Sequence, residues 1–215
     1  DHLPESEIHI LRNITIDPIV PFLRYVLMKT GFNARIRIGR YDTMVQDAMS
    51  ETSEPWQEKS DLILVFANLK AMSPALVDRF AGLNEIELEE EIGFVETQLD
   101  LILGGRRKRT DSPICWHTFE VPSYPSLGIL EHQHGQGQVM VVRRLNEALR
   151  EKLQKYGNAF AVDMDACVRR AGEERFYDHR YWPRLCRARS RLPIKTTTTK
   201  HGARKTRIFR HDAAQ

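Results

Sequence analysis

Residues 61–68 read DLILVFAN, an apolar run of strand length with no polar alternation. A strand of this kind asks for cover on both faces, which restricts the chain to a sheet sandwiched between helices, most simply a parallel one. The stretch Ile8–Gly31, IHILRNITIDPIVPFLRYVLMKTG, supplies the matching unit. Ile8–Ile14 is short and β-prone, after which Ile19, Phe22, Leu23, Val26 and Leu27 recur at helical spacing. Asp17 is a candidate cap, Pro18 suits a first helical position, and Gly31 can close the helix in a left-handed conformation.

The same alternation continues along the chain. Ala34–Gly39 alternates Ala34, Ile36 and Ile38 with Arg35 and Arg37, as expected of a strand toward the sheet edge. Asp42 is placed to cap a short helix ending at Met49. Pro74–Leu103 has helical spacing with Ser73 as cap, and Gly82 and Gly93 suggest two helices rather than one. Its glutamates read as a solvated face, Gly104-Gly105 as its end, and Arg106–Arg109 as an exposed basic turn. Ile114–Val121 is a fourth strand, and Pro122–Gly137 has the composition of a long loop. Gln138–Tyr156 presents Val139, Val142, Leu145, Leu149 and Leu153 on one helical face before Gly157. Phe160–Met164 gives a fifth strand, followed by a helix from Asp165 to about Ala171 closed by Gly172. Five strand–helix units with right-handed crossovers predict a three-layer α/β domain on a five-stranded parallel sheet. In such sheets ligands bind beyond the carboxyl ends of the strands, where Arg12, Asn13, Thr15 and Asn68 fall.

Charge divides the 215-residue chain unevenly. Arg184–Gln215 holds ten Lys or Arg against one acid, Asp212, a balance of +9; with +3 for the whole chain, residues 1–183 carry −6. The folded part is acidic and the tail basic, so a uniformly basic nucleic-acid binder is excluded and only the tail can act as an electrostatic arm. We expect residues 1–183 to form the α/β domain and residues 184–215 to be a disordered tail. The longest apolar runs are too short for a membrane span, and the DHLPESE start lacks the pattern of a secretory signal. Three cysteines without CxxC spacing favour reduced thiols and a cytoplasmic setting.

Three patterns touch on chemistry. Phe160–Cys167, FAVDMDAC, puts Asp163-x-Asp165 after a strand, as in phosphatases of the haloacid dehalogenase type; those also need magnesium, a lysine and further acids on later strands, and a helix-capping pair is the simpler reading. His132-x-His134 lacks a third ligand at metal spacing and reads as a loop pair. A Ser-His-Asp hydrolase would suit the fold, yet the first-strand loop offers Asn13 and Thr15 and no G-x-S-x-G or GDS. Asp178 and His179, within FYDHRYW, can meet that loop as acid and base, or the aromatics around them can dock the segment on the domain. No glycine-rich dinucleotide or phosphate loop is present.

Taken in order, RNITIDPIVPFLRYVLMKTGFNARIRIGRYDTMVQD, DLILVFANL, HTFEVP and YGNAFAVDMDACVRRAGEERFYDHRYW resemble the N-terminal region of FkbH-type proteins, over about Ile8–Trp182. That family joins an SGNH-hydrolase-like domain, flavodoxin-like in architecture, to a phosphatase-type domain of the haloacid dehalogenase class in polyketide and related biosynthesis. The resemblance implies a part in loading a three-carbon glyceryl unit from a phosphorylated intermediate onto an acyl carrier protein. It also implies that Asp163 and Asp165 have no phosphatase role and that this chain needs no cofactor, magnesium belonging to a second domain the chain does not contain. By the same analogy Asn13 and Thr15 occupy the nucleophile loop, Asn68 the oxyanion-type position, and Asp178 with His179 the acid and base. The Asp-x-x-His spacing of active SGNH enzymes is missing, since Tyr181 stands where the histidine would. The expectation is a binding or accessory domain for a carrier protein or acyl intermediate, with an active esterase or acyltransferase as the alternative.

Overall fold

In the computed structural model five strands pair in parallel in the order β2-β1-β3-β4-β5. The structure describes residues 3–50, 60–133, 135–172 and Phe176. Strand β1 spans Glu5–Arg12, β2 Asn33–Tyr41, β3 Leu62–Phe66, β4 Ile114–His117 and β5 Ala159–Val162. Helices are α1 Val20–Lys29, α2 Met44–Met49, α3 Leu69–Met72, α4 Pro74–Asp78, α5 Glu85–Arg107, α6 Gln138–Tyr156 and α7 Met164–Ala171. The expected boundary at residue 183 and the basic tail lie outside the described residues.

Helices flank both sides of this all-parallel sheet, as the sequence predicts. On one side Ile8, Ile10, Ile36 and Val20 pack with Leu23 and Leu27 of α1. On the other, Leu11, Ile63, Val65, Ile114 and Trp116 meet α2, α5 and α6 in a larger core. Strand β3 divides between the two. Ile63 and Val65 are fully buried in the larger core, while Leu62, Leu64 and Phe66 are half-buried beneath α1. β2 is an edge strand, as its arginines suggest, and β1 lies inside the sheet, where the order reverses between β1 and β3.

Several local expectations are corrected. Asp17 caps no helix: a 3-10 turn over Asp17–Ile19 precedes α1, and the Asp17 carboxylate instead accepts from Arg12 Nη1 at 2.9 Å. Asp42 adopts φ 55°, and Thr43, not Asp42, stands at the N-cap of α2. Ser73 does cap α4, accepting from the Leu76 amide, and the break before α5 falls near Gly82 while Gly93 lies inside the helix. Gly31 and Gly172 close α1 and α7 at φ 93° and 82°.

Gly104-Gly105 does not end α5, which runs on to Arg107. These glycines serve packing instead. A Cβ on Gly105 would lie closer than 3.0 Å to the carbonyl of Ala48 in α2, and one on Gly104 would lie 3.1 Å from Tyr156 Oη in α6. Of Arg106–Arg109, expected as an exposed turn, only Lys108 is exposed. Arg106 is buried, and burial, with Arg109 and Arg107 nearby, brings its guanidinium down to about 9. Arg107 donates to the carbonyls of Thr110, Ser112, Tyr156, Gly157 and Asn158, and Arg109 to those of Asp47 and Ala48. The basic run thus stitches α5 to the loops that start β4 and β5. Because the α2–α5 approach has no room for a methyl group, Gly105→Ala should lower stability by about 1–3 kcal/mol in a urea titration. An unchanged midpoint would show that the two helices sit farther apart.

Candidate functional site

The crevice at the carboxyl ends of β1 and β3 is built around Asn13, which is 1% exposed. Its backbone amide extends the β1–β3 pairing by donating to Phe66 O at 3.1 Å. Its side chain then spans to the next loop, where Oδ1 accepts from the Asn68 amide at 2.7 Å and Nδ2 donates to the Asn68 carbonyl at 3.2 Å. Asn68 in turn caps α3, its Oδ1 accepting from the Lys70 amide at 2.8 Å. The two asparagines are therefore brought together, as their positions at the strand ends predict, but each carboxamide is engaged with backbone. Arg12 flanks the pair; its Nε donates to Gly39 O, its Nη1 pairs with Asp17, and its guanidinium lies 5.8 Å from the Tyr41 ring centroid.

Thr15 is exposed in the loop between β1 and the 3-10 turn. Asp178 and His179 lie outside the described residues, so their expected meeting with that loop is a matter for proposal. Ser73, the first serine after β3, is fully buried; its hydroxyl donates to Glu91 Oε2 at 2.6 Å and accepts from the Leu76 amide at 3.2 Å.

The exit of β4 repeats the device. Asn146, projecting from α6, accepts from the Phe119 amide at 2.7 Å and donates to the Phe119 carbonyl at 2.8 Å. Nothing in the sequence sets Asn146 apart except that it is a polar residue beside Leu145 on the buried side of an amphipathic helix. Thr118 accepts from the Met164 amide, fixing the start of α7. His117, also not anticipated, places Nδ1 2.9 Å from Thr118 O, so that nitrogen carries the proton and Nε2 is left as an acceptor. Nε2 is buried and has no hydrogen-bond partner among the described residues, and burial lowers the imidazole from its usual range.

Asp163 caps α7 by accepting from the Ala166 amide at 2.9 Å, and Asp165 Oδ1 accepts from the Val121 amide at 3.4 Å. Of the expected capping pair, the first caps and the second fastens the loop after β4. No three His, Cys, Asp or Glu side chains converge among the described residues. His132 is exposed, and His134 lies outside them. Among the described residues no helix is long and apolar enough to cross a membrane.

No family model matches the chain, and no curated protein matches it. Among solved structures it is similar to the N-terminal part of the protein BF1531 from Bacteroides fragilis, described as containing a phosphatase domain complexed with Mg. The TM-score is 0.66 at 14% identity, covering 84% of this chain and 46% of that one. At that identity the likeness is one of fold. The chain thus spans less than half of the structure it matches, and the phosphatase domain and its magnesium are properties of that protein.

Two outcomes test this geometry. Asn13→Ala leaves the half-buried Asn68 amide without its partner, while the Asn68 carbonyl keeps the Ala71 and Met72 amides, and should cost about 1–3 kcal/mol in chemical denaturation. A loss below about 0.5 kcal/mol would mean that water replaces the clamp. His117 is neutral when folded, so its contribution is complete above the ordinary histidine value near 6.5 and fades as pH falls below it, because the unfolded chain takes up the proton first. Wild type should lose stability between about pH 7 and about pH 5, and His117→Leu should flatten that part of the profile. Parallel profiles would show that another group dominates.

Proposed function

We propose that this chain is an FkbH-type, SGNH-like domain that binds an acyl or glyceryl intermediate carried by an acyl carrier protein in the cytoplasm, and that it has no phosphatase chemistry of its own. The reading draws on the ordered sequence resemblance and on the fold shared with the N-terminal part of BF1531. One observation carries the choice of binding over catalysis: the polar side chains at the β1/β3 crevice are spent on holding backbone. Asn13 is locked on Asn68, Asn68 on the start of α3, and Ser73 on Glu91. The buried Ser73 hydroxyl is held between the half-buried Glu91 carboxylate of α5 and the Leu76 amide at the start of α4, the bonds of a helix cap.

What remains at the rim suits a small polar acyl group. The Arg12 guanidinium and the exposed Thr15 hydroxyl offer donors to a glyceryl hydroxyl or a thioester carbonyl, beside the Tyr41 ring. The resemblance adds Asp178 and His179 as polar groups for the same ligand; both lie outside the described residues.

The second reading, an esterase or acyltransferase in which Thr15 attacks with His179 as base, is favoured by the exposure of Thr15 in the first-strand loop. A fluorophosphonate probe together with a glyceryl thioester of a phosphopantetheinylated carrier protein separates the two. Binding without chemistry predicts no stoichiometric labelling, and amide shifts on adding the thioester that centre on residues 12–17 and 68. Labelling that disappears in Thr15→Ala would establish the enzyme instead, and the absence of any shift would remove the binding role.

A further inference from the structure

The two faces of the sheet are unequally covered. Against α5 and α6, Ile114 and Trp116 of β4 are fully buried. On the opposite face α1 packs over Ile8, Ile10 and Ile36 of the β1–β2 half, with Leu62, Leu64 and Phe66 of β3 half-buried at its flank. Beyond β3 this face opens. The parallel register sets Cys115 beside Leu64 and Phe160, and His117 beside Val162, so these side chains share the α1 face. Phe160 and Val162 are each 43% exposed, and Cys115 is half-buried. One polar atom marks the same patch. His117, its ring centroid 5.8 Å from that of Phe66, holds a buried Nε2 with no hydrogen-bond partner, so the group that covers the strands here has to bring a donor as well as apolar area.

The course of the chain says what that group is. Crossovers through α5 and α6 carry it outward from β3 to β5 along one face, and among the described residues the order ends at β5. The chain leaving β5 therefore has the other face open to it. It passes along α7, where Met164, Val168 and Ala171 form a half-buried stripe, to Phe176, itself half-buried with its amide on the Gly172 carbonyl. Residues 177–215 follow, and Tyr177, Tyr181 and Trp182 stand at their start. We propose that residues 176–182 are the cover of this face, with rings laid over Cys115, Phe160 and Val162 and a Tyr or Trp donor given to His117 Nε2. Each of those three side chains joins a large apolar ring to one donor, the combination that the patch calls for. This cover is independent of what the β1/β3 crevice binds.

A nitroxide on Cys186, just past Trp182, tests this in the full chain, with Cys115→Ala and Cys167→Ser removing the other two thiols. The amide signals of Leu64, Phe66, His117, Phe160 and Val162 should lose intensity by paramagnetic broadening, while those of β2, at the far edge of the sheet, stay sharp. Trp182→Ser and Val162→Glu, one from each side of the contact, should each restore the signals. Broadening that is absent or uniform over the sheet, or that survives both substitutions, would overturn the proposal. So would broadening passed to an isotope-labelled chain from a spin-labelled second copy, which would make the cover another molecule.

Discussion

Parallel strands diverge at their carboxyl ends, and the backbone just past the last rung of the ladder must find partners elsewhere. In this fold the problem is sharpest between β1 and β3, where the chain leaves in opposite directions and a crevice opens. Asn13 solves it with one side chain. A carboxamide can give and take one hydrogen bond at once, so it mimics the edge of a missing strand and holds both polar groups of Asn68. With Asn13 buried, the clamp is worth most as a constraint, since leaving the Asn68 amide unmet costs more than forming the bond gains. Asn146 does the same for Phe119 at the exit of β4, and Thr118 ties on the start of α7. The rim of the sheet is therefore set by side-chain-to-backbone bonds.

That economy bears on function. Groups that fix backbone are not available to polarise a carbonyl or activate a hydroxyl, and the proposed binding role rests on that observation. The acids of the Asp163-x-Asp165 pair are spent in the same way, one on α7 and one on the loop after β4. At the opposite end of the sheet, Arg107 gathers five carbonyls around the starts of β4 and β5, a position associated with stability rather than ligands.

Much of the architecture was legible because it follows from period and punctuation. The run at Leu62–Phe66, the stripe from Val139 to Leu153 and the left-handed glycines at Gly31 and Gly172 each express one local rule, and the structure obeys them. The failures share a cause: tertiary partners outbid local ones. Asp17 left its helix for Arg12, Gly104-Gly105 stayed helical because neighbouring helices press on them, and Arg106–Arg109 was drawn inward by carbonyls distant in sequence. The meeting of Asn13 and Asn68 beyond β1 and β3 was legible from strand ends alone. Asn146 and His117 were not, since a polar residue on a buried helix face or at the end of a short strand carries no signal until its partner is known.

The account rests on the Asn13 clamp, and the amide of Asn68 reports on it directly. With its proton held by Asn13 Oδ1 inside the protein, that amide should exchange with solvent as slowly as those of Leu64 and Val65 in β3, opening only with the sheet. Exchange faster by about two orders of magnitude, at the pace of an exposed loop, would mean that the crevice is not held in this way.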